Sequence, residues 1–235
     1  MLLCKSLTYE HTYRALEELV LLSRQEFELI ELHLVINHYN VISAFEQLGF
    51  RLVDSRIDFI TLMKKNEIEF VSDPEREVMA ASEDDLQQII DLTTVSFTNN
   101  PDYYSRFKNR NYFTEAQSNT YFSAWITNNF QHPDSYSAVI KENKKTIGYF
   151  IYRKDGTHND IPLYKGIMTA VHPDYRGKNL HIYMQSFLYK LFPDEEFYLY
   201  NGTQLTNKPV ITNHFKSGKR LNSVMLTFYY HSGSK

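Results

Sequence analysis

Residues 166–192 contain the pattern that most constrains the fold: a strand, a short loop and a helix in direct succession. Gly166 to Val171 predicts a strand, and His181 to Phe192 predicts a helix. The loop between them carries Arg176-Gly177-Lys178. Loops of this kind point backbone N–H groups outward, and the helix N-terminus adds partial positive charge. The run therefore predicts a fold of the α/β type with a phosphate-binding turn.

The size and composition of the chain narrow its class. At 235 residues it suits one large or two small domains, and 43% hydrophobic with 23% charged residues is typical of globular proteins. The net charge of −3 argues against general nucleic-acid binding, which needs a basic surface. No apolar run approaches the roughly 20 residues that cross a bilayer. We therefore expect no nucleic-acid or membrane partner.

The single cysteine, Cys4, excludes an intramolecular disulfide and a cysteine-rich zinc site. Met1 to Ser6 lacks the long apolar core of a secretion signal, so we expect a cytoplasmic protein. His158-Asn159-Asp160 has metal-ligand residue types, but no second cluster supports it. A solvated turn is the prediction there, and no metal site is expected.

The first 70 or so residues predict an α/β unit. Residues 9–26 have apolar residues at helical spacing, and Phe27 to Ile36 is typical of a strand. Asn37 is a candidate cap for a following helix that Gly49 closes, before a long strand over residues 50–63. The polar stretch around Asp73-Pro74 is the predicted junction, which gives domains 1–72 and 76–235.

The second domain begins with a short strand over residues 78–81 and a capping box formed by Ser82 and Asp85. A helix over residues 116–130 and strands over residues 136–141 and 145–153 follow. The chain ends with a strand over residues 223–230. This order predicts a mixed α/β (α+β) fold.

The phosphate loop resembles the acyl-CoA pyrophosphate loop of GCN5-related N-acetyltransferases (GNATs), written Q/R-x-x-G-x-G/A. That pattern falls on Arg176, Asn179 and His181, of which the arginine matches and the two later positions depart. Thr146-Ile147-Gly148-Tyr149 resembles the x-I/V-G-x phrase of the same fold. The order of elements over residues 77–231 is also similar. The resemblance implies the GNAT fold, a mixed central sheet with splayed strands.

A finer resemblance points to sugar-nucleotide N-acetyltransferases of the dTDP-fucosamine type. It is carried by Ser105-Arg106-Phe107, Tyr121 and Trp125-Ile126, and by Gly49 to Asp54, which resembles a "G-F-x-x-v-d" phrase. Val41, Phe45, Gly49 and Phe50 occupy the places of the family phrase A-x-x-x-Y/F-x-x-x-G-F. Residues 1–72 are thus expected to be a smaller, degenerate half-module, with an unrelated α/β cap as the alternative.

The resemblance implies an acetyl-CoA-dependent N-acetyltransferase that acts on the amine of a small polar acceptor, such as a nucleotide-linked amino sugar. His214 stands where the family has a tyrosine that protonates the departing thiolate, and imidazole can serve in that role. Main-chain groups of the splayed strand would contact the pantetheine arm, and the loop would bind the pyrophosphate. The cofactor-binding residues implied are Thr169, Ala170, Val171, Arg176, Gly177, Lys178, Asn179, Leu180, His181 and Asn207.

Several alternatives stay open from the sequence. His181 either narrows the groove or, when protonated, pairs with a phosphate, and His214 is either a proton donor or a packing residue beside Phe215. With a degraded cofactor site, the chain would be a non-catalytic GNAT-fold protein that binds a ligand or partner. An aminoacyl or peptidyl transferase is disfavoured by the acidic balance. A homodimer is left open.

No general base can be assigned. Its candidates, Glu115, His132 and Asp134, are named only because they lie in segments on the acceptor side.

Overall fold

The computed structural model describes residues 9–23, 26–36, 39–69, 75–101 and 103–231. Its six helices are α1 (Tyr9–Ser23), α2 (Tyr39–Gln47), α3 (Leu86–Thr93), α4 (Glu115–Phe130), α5 (Leu180–Leu191) and α6 (Lys208–Lys216). Its eight strands are β1 (Leu29–Val35), β2 (Arg51–Lys64), β3 (Glu77–Ala80), β4 (Ser135–Glu142), β5 (Lys145–His158), β6 (Ile161–Val171), β7 (Glu196–Gln204) and β8 (Arg220–His231).

The predicted α/β fold class is confirmed, because the strands form mixed, mostly antiparallel sheet and the chain also contains six helices in its described ranges. The predictions for Cys4, the Asn37 cap and the Asp73-Pro74 junction lie outside the described residues. Within the described ranges, none of the helices combines the length and apolar character that a membrane crossing requires.

The chain divides into two compact units. The first comprises the described residues of Met1–Asp58, Thr203–Lys208 and Leu221–Lys235, and the second those of Phe59–Gly202 and Pro209–Arg220. The predicted domains 1–72 and 76–235, and the half-module interpretation of the first, stay predictions.

In the first unit the strand order is β1, β8, β2. The antiparallel register of β1 and β8 runs from Leu29 opposite His231 to Val35 opposite Met225. Helices α1 and α2 supply core side chains that pack with this sheet. The core residues are Val20, Phe45, Phe50, Leu226 and Phe228. Gly49 ends α2 with φ +89°, the left-handed conformation that its position predicts.

In the second unit the strand order is β2, β7, β6, β5, β4, β3. The pairs β3–β4, β4–β5 and β5–β6 are antiparallel, whereas β6 and β7 are parallel. Strands β5 and β6 are longer than their predicted lengths. They continue as a hairpin to a turn at Asn159 and Asp160, where both residues have positive φ. The predicted turn at His158-Asn159-Asp160 is therefore confirmed.

Strand β5 shows how the sequence divides the second unit into two hydrophobic layers. Its side chains alternate, so that Phe150 and Tyr152 pack with α5 on one face. Tyr149 and Ile151 pack with α3 and α4 on the other face. Residues 146–152 of the strand are buried, which explains the apolar run from Ile147 to Tyr152, whereas the end of the strand is polar and exposed.

Two capping boxes fix the helices of the second layer. Ser82 and Asp85 form the predicted box before α3, and Thr114 and Gln117 form one before α4. Each pair satisfies backbone N–H groups that a helix start would leave without acceptors. Beyond α3 the chain continues as a π-helical turn over Thr94–Thr98.

Candidate functional site

Strands β6 and β7 part in the middle of the second unit. Their parallel pairing consists of Leu163 with Tyr198, Tyr164 with Leu199, and Lys165 with Tyr200. Beyond these pairs β6 continues to Val171 and β7 to Gln204. The divergence thus begins at Gly166, and strands that part in this way can accept an extended ligand between them.

A β-bulge lies on β6 at the start of this divergence. Tyr152 is opposite Gly166 and Ile151 is opposite Met168, which leaves Ile167 as the extra residue. A bulge re-aims backbone groups away from the regular ladder, and bulges are common beside active sites. Sequence reasoning missed it because a single extra residue in an apolar strand has no compositional signal.

The loop between β6 and α5 has the backbone of an anion-binding turn. Gly177 has φ +80° and Asn179 has φ +57°, and Asn179 directly precedes α5 without a side-chain cap. Asparagine tolerates this conformation better than most residues, so the departure from glycine at 179 keeps the turn. The space around the β-position of Gly177 is open, which lets another molecule approach the backbone closely.

Other loop and strand residues have defined contacts. Arg176 Nε donates to the carbonyl oxygen of Val171 at 3.1 Å, which joins the loop to the end of β6. Thr169 Oγ1 donates to the carbonyl oxygen of Tyr149 at 3.0 Å, and Ala170 is buried in the layer of α3 and α4. The implied residues 169–171 and 176–181 are therefore contiguous at the diverging end of β6. Their contact with a cofactor stays a prediction.

Three basic side chains from α5, α6 and the segment after α6 are close enough to influence one another electrostatically. Lys219 and His214 are buried, with 5% and 7% of their surface exposed, and His181 is half-buried. Burial lowers the pKa of the Lys219 ammonium to about 7. Burial and then the charge of Lys219 lower the pKa of His181 to about 4.

His214 has the lower pKa of the two imidazoles. Burial, then Lys219 and then His181 lower its pKa to about 3. Its ring lies 4.8 Å from that of Phe59, and its Nδ1 is buried without a hydrogen-bond partner among the described residues. With so low a pKa the imidazole is neutral near neutral pH, so it carries no acidic proton to give to a thiolate. The predicted general-acid role of His214 stays a prediction, and it would need a ligand that raises this pKa.

A hydrogen-bonded chain leads from Lys219 into the core. Lys219 Nζ donates to Asn201 Oδ1 at 2.9 Å, and Asn201 Nδ2 donates to the Tyr152 hydroxyl at 2.7 Å. Gln185 Nε2 donates to the same hydroxyl at 3.2 Å. Sequence reasoning missed Asn201 and Lys219. A polar asparagine directly after the apolar run Phe197–Tyr200 of β7 was a usable signal, whereas Lys219 looked like part of an exposed polar turn.

The remaining predicted residues have contacts of their own. Asn207 belongs to the first unit, where its Nδ2 donates to Thr203 Oγ1 at 3.0 Å. Glu115 begins α4 and pairs with Arg110 at 3.7 Å. His132 and Asp134 pair with each other at 3.9 Å between α4 and β4. None of these contacts identifies a general base.

An aromatic surface lies on the α4 side of the second unit. The rings of Phe107 and Tyr121 stack with centroids 3.8 Å apart, and Trp125 lies 6.2 Å from Tyr121. The guanidinium of Arg106 lies 4.3 Å from the centre of the Phe107 ring. Stacked rings beside a cation suit a planar or anionic ligand group. Across the described ranges, no group of three or more His, Cys, Asp or Glu residues could hold a metal ion.

Comparison with solved structures identifies the fold. A functionally unknown conserved protein from Staphylococcus epidermidis superposes with a TM-score of 0.67 at 9% identity, over 96% of this chain and 82% of that one. A tandem GNAT protein from the clavulanic acid biosynthesis pathway gives 0.63 at 12% identity, over 94% and 70%. A GCN5-related N-acetyltransferase from Kribbella flavida gives 0.59 at 10% identity, over 97% and 77%.

Neither a protein-family model nor a curated protein matches the sequence. The structural likeness at such low identity concerns the fold, and it shows that the chain has the GNAT fold.

Proposed function

We propose that the chain is an acyl-CoA-dependent N-acyltransferase that transfers an acetyl group directly to the amine of a small polar acceptor. The observation that carries this proposal is the divergence of β6 and β7 after Lys165 and Tyr200, beside a loop with positive φ at Gly177 and Asn179. The open strands suit an extended thioester arm, and the loop suits its diphosphate. The GNAT fold of solved acetyltransferases adds support by analogy.

The residues present fit acetyl-CoA as co-substrate. The first N–H groups of α5 have no acceptor within the helix, and Asn179 adds no side-chain cap. Lys178, whose Nζ lies 5.2 Å from the centre of the Tyr175 ring, adds positive charge at the loop. Residues 176–181 would therefore hold the diphosphate, and the main chain of Thr169 to Val171 would align the thioester arm.

The reaction needs a neutral amine to attack the thioester carbonyl, with loss of a proton from nitrogen and departure of the thiolate, which gains a proton. Alignment of the amine and the carbonyl supplies much of the rate. The bulge at Ile167 offers main-chain groups that are not fully used by the β5 ladder. A backbone N–H at this position would stabilise the negative oxygen of the tetrahedral intermediate.

The acceptor is proposed to be an amino sugar carried on a nucleotide. The aromatic surface of Phe107, Tyr121 and Trp125, with Arg106 beside it, supports this choice. A base would stack on the rings, and the arginine would pair with a phosphate. We propose that the protein acts in the cytoplasm. A homodimer is a further proposal.

A binding protein without transfer activity is the second candidate. It is favoured by the half-buried His181 at a place where the family pattern has glycine or alanine, because an imidazole takes up more space than either of those residues. The two candidates differ in one observable. A transferase forms an N-acetyl product from acetyl-CoA and an amine panel that includes nucleotide-linked amino sugars, whereas a binding protein forms none.

A matched pair of glycine variants tests the loop. Gly177 and Gly156 have φ of +80° and +78°, and neither has an atom within 4 Å of its β-position. Substitution by alanine adds the same left-handed strain of about 1–2 kcal/mol at each site. Only Gly177→Ala should weaken CoA binding in calorimetry, by about tenfold for lost N–H contacts with a charged phosphate. Equal CoA affinities in Gly177→Ala and Gly156→Ala would reject the loop as the diphosphate site.

A further inference from the structure

The basic cluster of Lys219, His181 and His214 has no acidic partner within the described part of the chain. Burial and mutual repulsion are the causes that shift their pKa values, and no carboxylate contributes. Buried cationic groups in folded proteins are normally paired with an anion or bound by several hydrogen bonds. Near and below neutral pH the charge of this cluster is carried by Lys219, and the described chain supplies no counter-ion for it.

The hydrogen bonding of the cluster is also incomplete. An ammonium group has three donors, and Lys219 uses one of them on Asn201 Oδ1. His214 is more than nine-tenths buried, and its Nδ1 has no partner among the residues described. Buried polar atoms of this kind are rare in native proteins, and they commonly mark the place of a ligand or ordered water.

The position of the cluster relates it to the proposed active site. Asn201, which holds Lys219, lies on β7 directly after the last residue paired with β6. Its amide also lies against Gly166, the first residue of β6 beyond that pairing. Lys219 is therefore anchored where the two strands begin to part, which is the point where the acyl end of an extended thioester arm would arrive.

We propose that Lys219, His181 and His214 form a buried subsite for the carboxylate of a substrate. The buried side chains of the cluster leave no room for a bulky diphosphate, for which the main chain of the loop, exposed at Gly177 and Lys178, is available. His181 would offer its main-chain N–H to the diphosphate and its imidazole to the cluster. A carboxylate is compact, and its two oxygens can accept from both an ammonium and an imidazole. The carboxylate belongs either to the acyl group of the donor or to the amine acceptor, and this assignment of source rests on the proposed function.

The subsite has a definite pH dependence. The groups that face Lys219 are His181 from α5, His214 from α6 and the Tyr152 hydroxyl from β5, the last reached through Asn201. Burial raises the pKa of Tyr152, so it stays neutral. Carboxylate binding should therefore strengthen as pH falls and Lys219 gains its proton, because protonation supplies the positive charge.

Calorimetry on the full chain tests the donor source. Succinyl-CoA, acetyl-CoA and CoA are titrated at pH 6.5 and pH 8.5. If the acyl group supplies the carboxylate, succinyl-CoA binds about tenfold tighter than acetyl-CoA at the lower pH, as expected for a charge-assisted hydrogen bond. The advantage shrinks at pH 8.5 and is lost in Lys219→Met, whereas Lys219→Arg keeps it. The comparison between pH 6.5 and pH 8.5 needs no variant, so it tests whether the acyl group supplies the carboxylate even if Lys219→Met fails to fold.

A second arm tests the acceptor source. The protein saturated with acetyl-CoA is titrated with β-alanine and with its uncharged amide. A preference for the acid that disappears in Lys219→Met assigns the carboxylate to the acceptor, and so supports the subsite by the other route. If CoA binds but neither carboxylate improves affinity, the subsite is overturned while the proposed function stands.

A third measurement separates the two proposals. Free succinate is added to the protein, and the imidazole resonances of His181 and His214 are followed by NMR. If no CoA compound binds but succinate shifts these resonances saturably, the transferase proposal fails and the anion subsite stands. If CoA compounds do not bind and succinate shifts nothing, both proposals fail.

Discussion

The side-chain amide of Asn201 lies where residue 166 would carry a β-carbon if it were not glycine. The same amide bonds the Tyr152 hydroxyl and the ammonium of Lys219. Because residue 166 is glycine, the Asn201 side chain has room to join Tyr152 and Lys219 by hydrogen bonds at the point where β6 and β7 begin to part.

Gly166→Ala should destabilise the protein, because the new methyl group must displace Asn201 from its partners. The expected loss is about 1–3 kcal/mol, the usual cost of overpacking a filled interior. Urea unfolding monitored by circular dichroism measures it. The same substitution in an Asn201→Ala background should cost less, since the obstacle is gone, and a double-mutant cycle isolates this coupling. An equal cost in both backgrounds would contradict the steric relationship.

Lys108 should be a major support of the segment before α4. Its Nζ donates to the carbonyl oxygens of Phe97, Asn100 and Tyr103, at 3.1, 2.6 and 3.0 Å. Lys108→Met leaves these acceptors without the cation, and hydrogen bonds to charged groups contribute about 1.5–3 kcal/mol each when buried. Because the site is half-buried, we expect a loss of about 1–2 kcal/mol in total.

Hydrogen exchange gives the matching local measurement. Amides over residues 97–105 should exchange faster in Lys108→Met than in the parent protein, while those of β5 stay unchanged. Lys145→Met, at an exposed lysine at the start of β5, is the control and should change neither stability nor exchange. Uniform loss of protection throughout the second unit would point to a global effect instead.

The elements that the sequence predicted well are those with local causes. The Ser82–Asp85 box, the left-handed Gly49 and the turn at Asn159 and Asp160 each depend on a few adjacent residues. The start of α5 could also be predicted, because Asn179 takes the left-handed conformation that its residue type tolerates.

The polar cluster could not be predicted from the sequence, because its causes are not local. Lys219, Asn201 and Tyr152 are brought together by strand order and by a bulge, neither of which leaves a short-range pattern. A lysine in the run Lys216-Ser217-Gly218-Lys219 is ordinarily solvated, and its burial depends on tertiary packing alone. Periodicity therefore predicted the scaffold, and it could not predict the buried charge.

Lys141 and Asp85 should form a structurally important ion pair. Asp85 is 1% exposed, and its carboxylate lies 2.5 Å from Lys141 Nζ. Burial alone would raise the pKa of Asp85, but the hydrogen bonds from Lys141 and Ser82 outweigh it and lower that pKa below 3.8. Lys141→Met leaves a buried carboxylate without its cation, which costs about 3–5 kcal/mol by guanidinium unfolding.

Acid titration checks the same pair. The depressed pKa of Asp85 stabilises the fold above pH 3.8, and this contribution is lost as pH falls through the folded value. In Lys141→Met the pKa of Asp85 should rise, so acid unfolding should begin at a higher pH. The double variant Asp85→Asn/Lys141→Met should recover part of the loss. No shift of the acid midpoint in Lys141→Met would show that the pair is unimportant.

Lys219 should make the stability of the protein increase with pH above neutrality. Its folded pKa of about 7 lies below the ordinary value of 10.5, so the unfolded chain binds more protons between these limits. Stability rises with pH wherever the unfolded state binds more protons, and the gain should appear from pH 7 to pH 9.5. Urea unfolding across this range measures the slope, which should be shallower in Lys219→Met. The slopes are compared because the variant also loses its bond to Asn201, which changes the absolute stability at every pH. A parallel pair of slopes would mean that the ammonium keeps its proton in the fold, and that it already has a counter-ion.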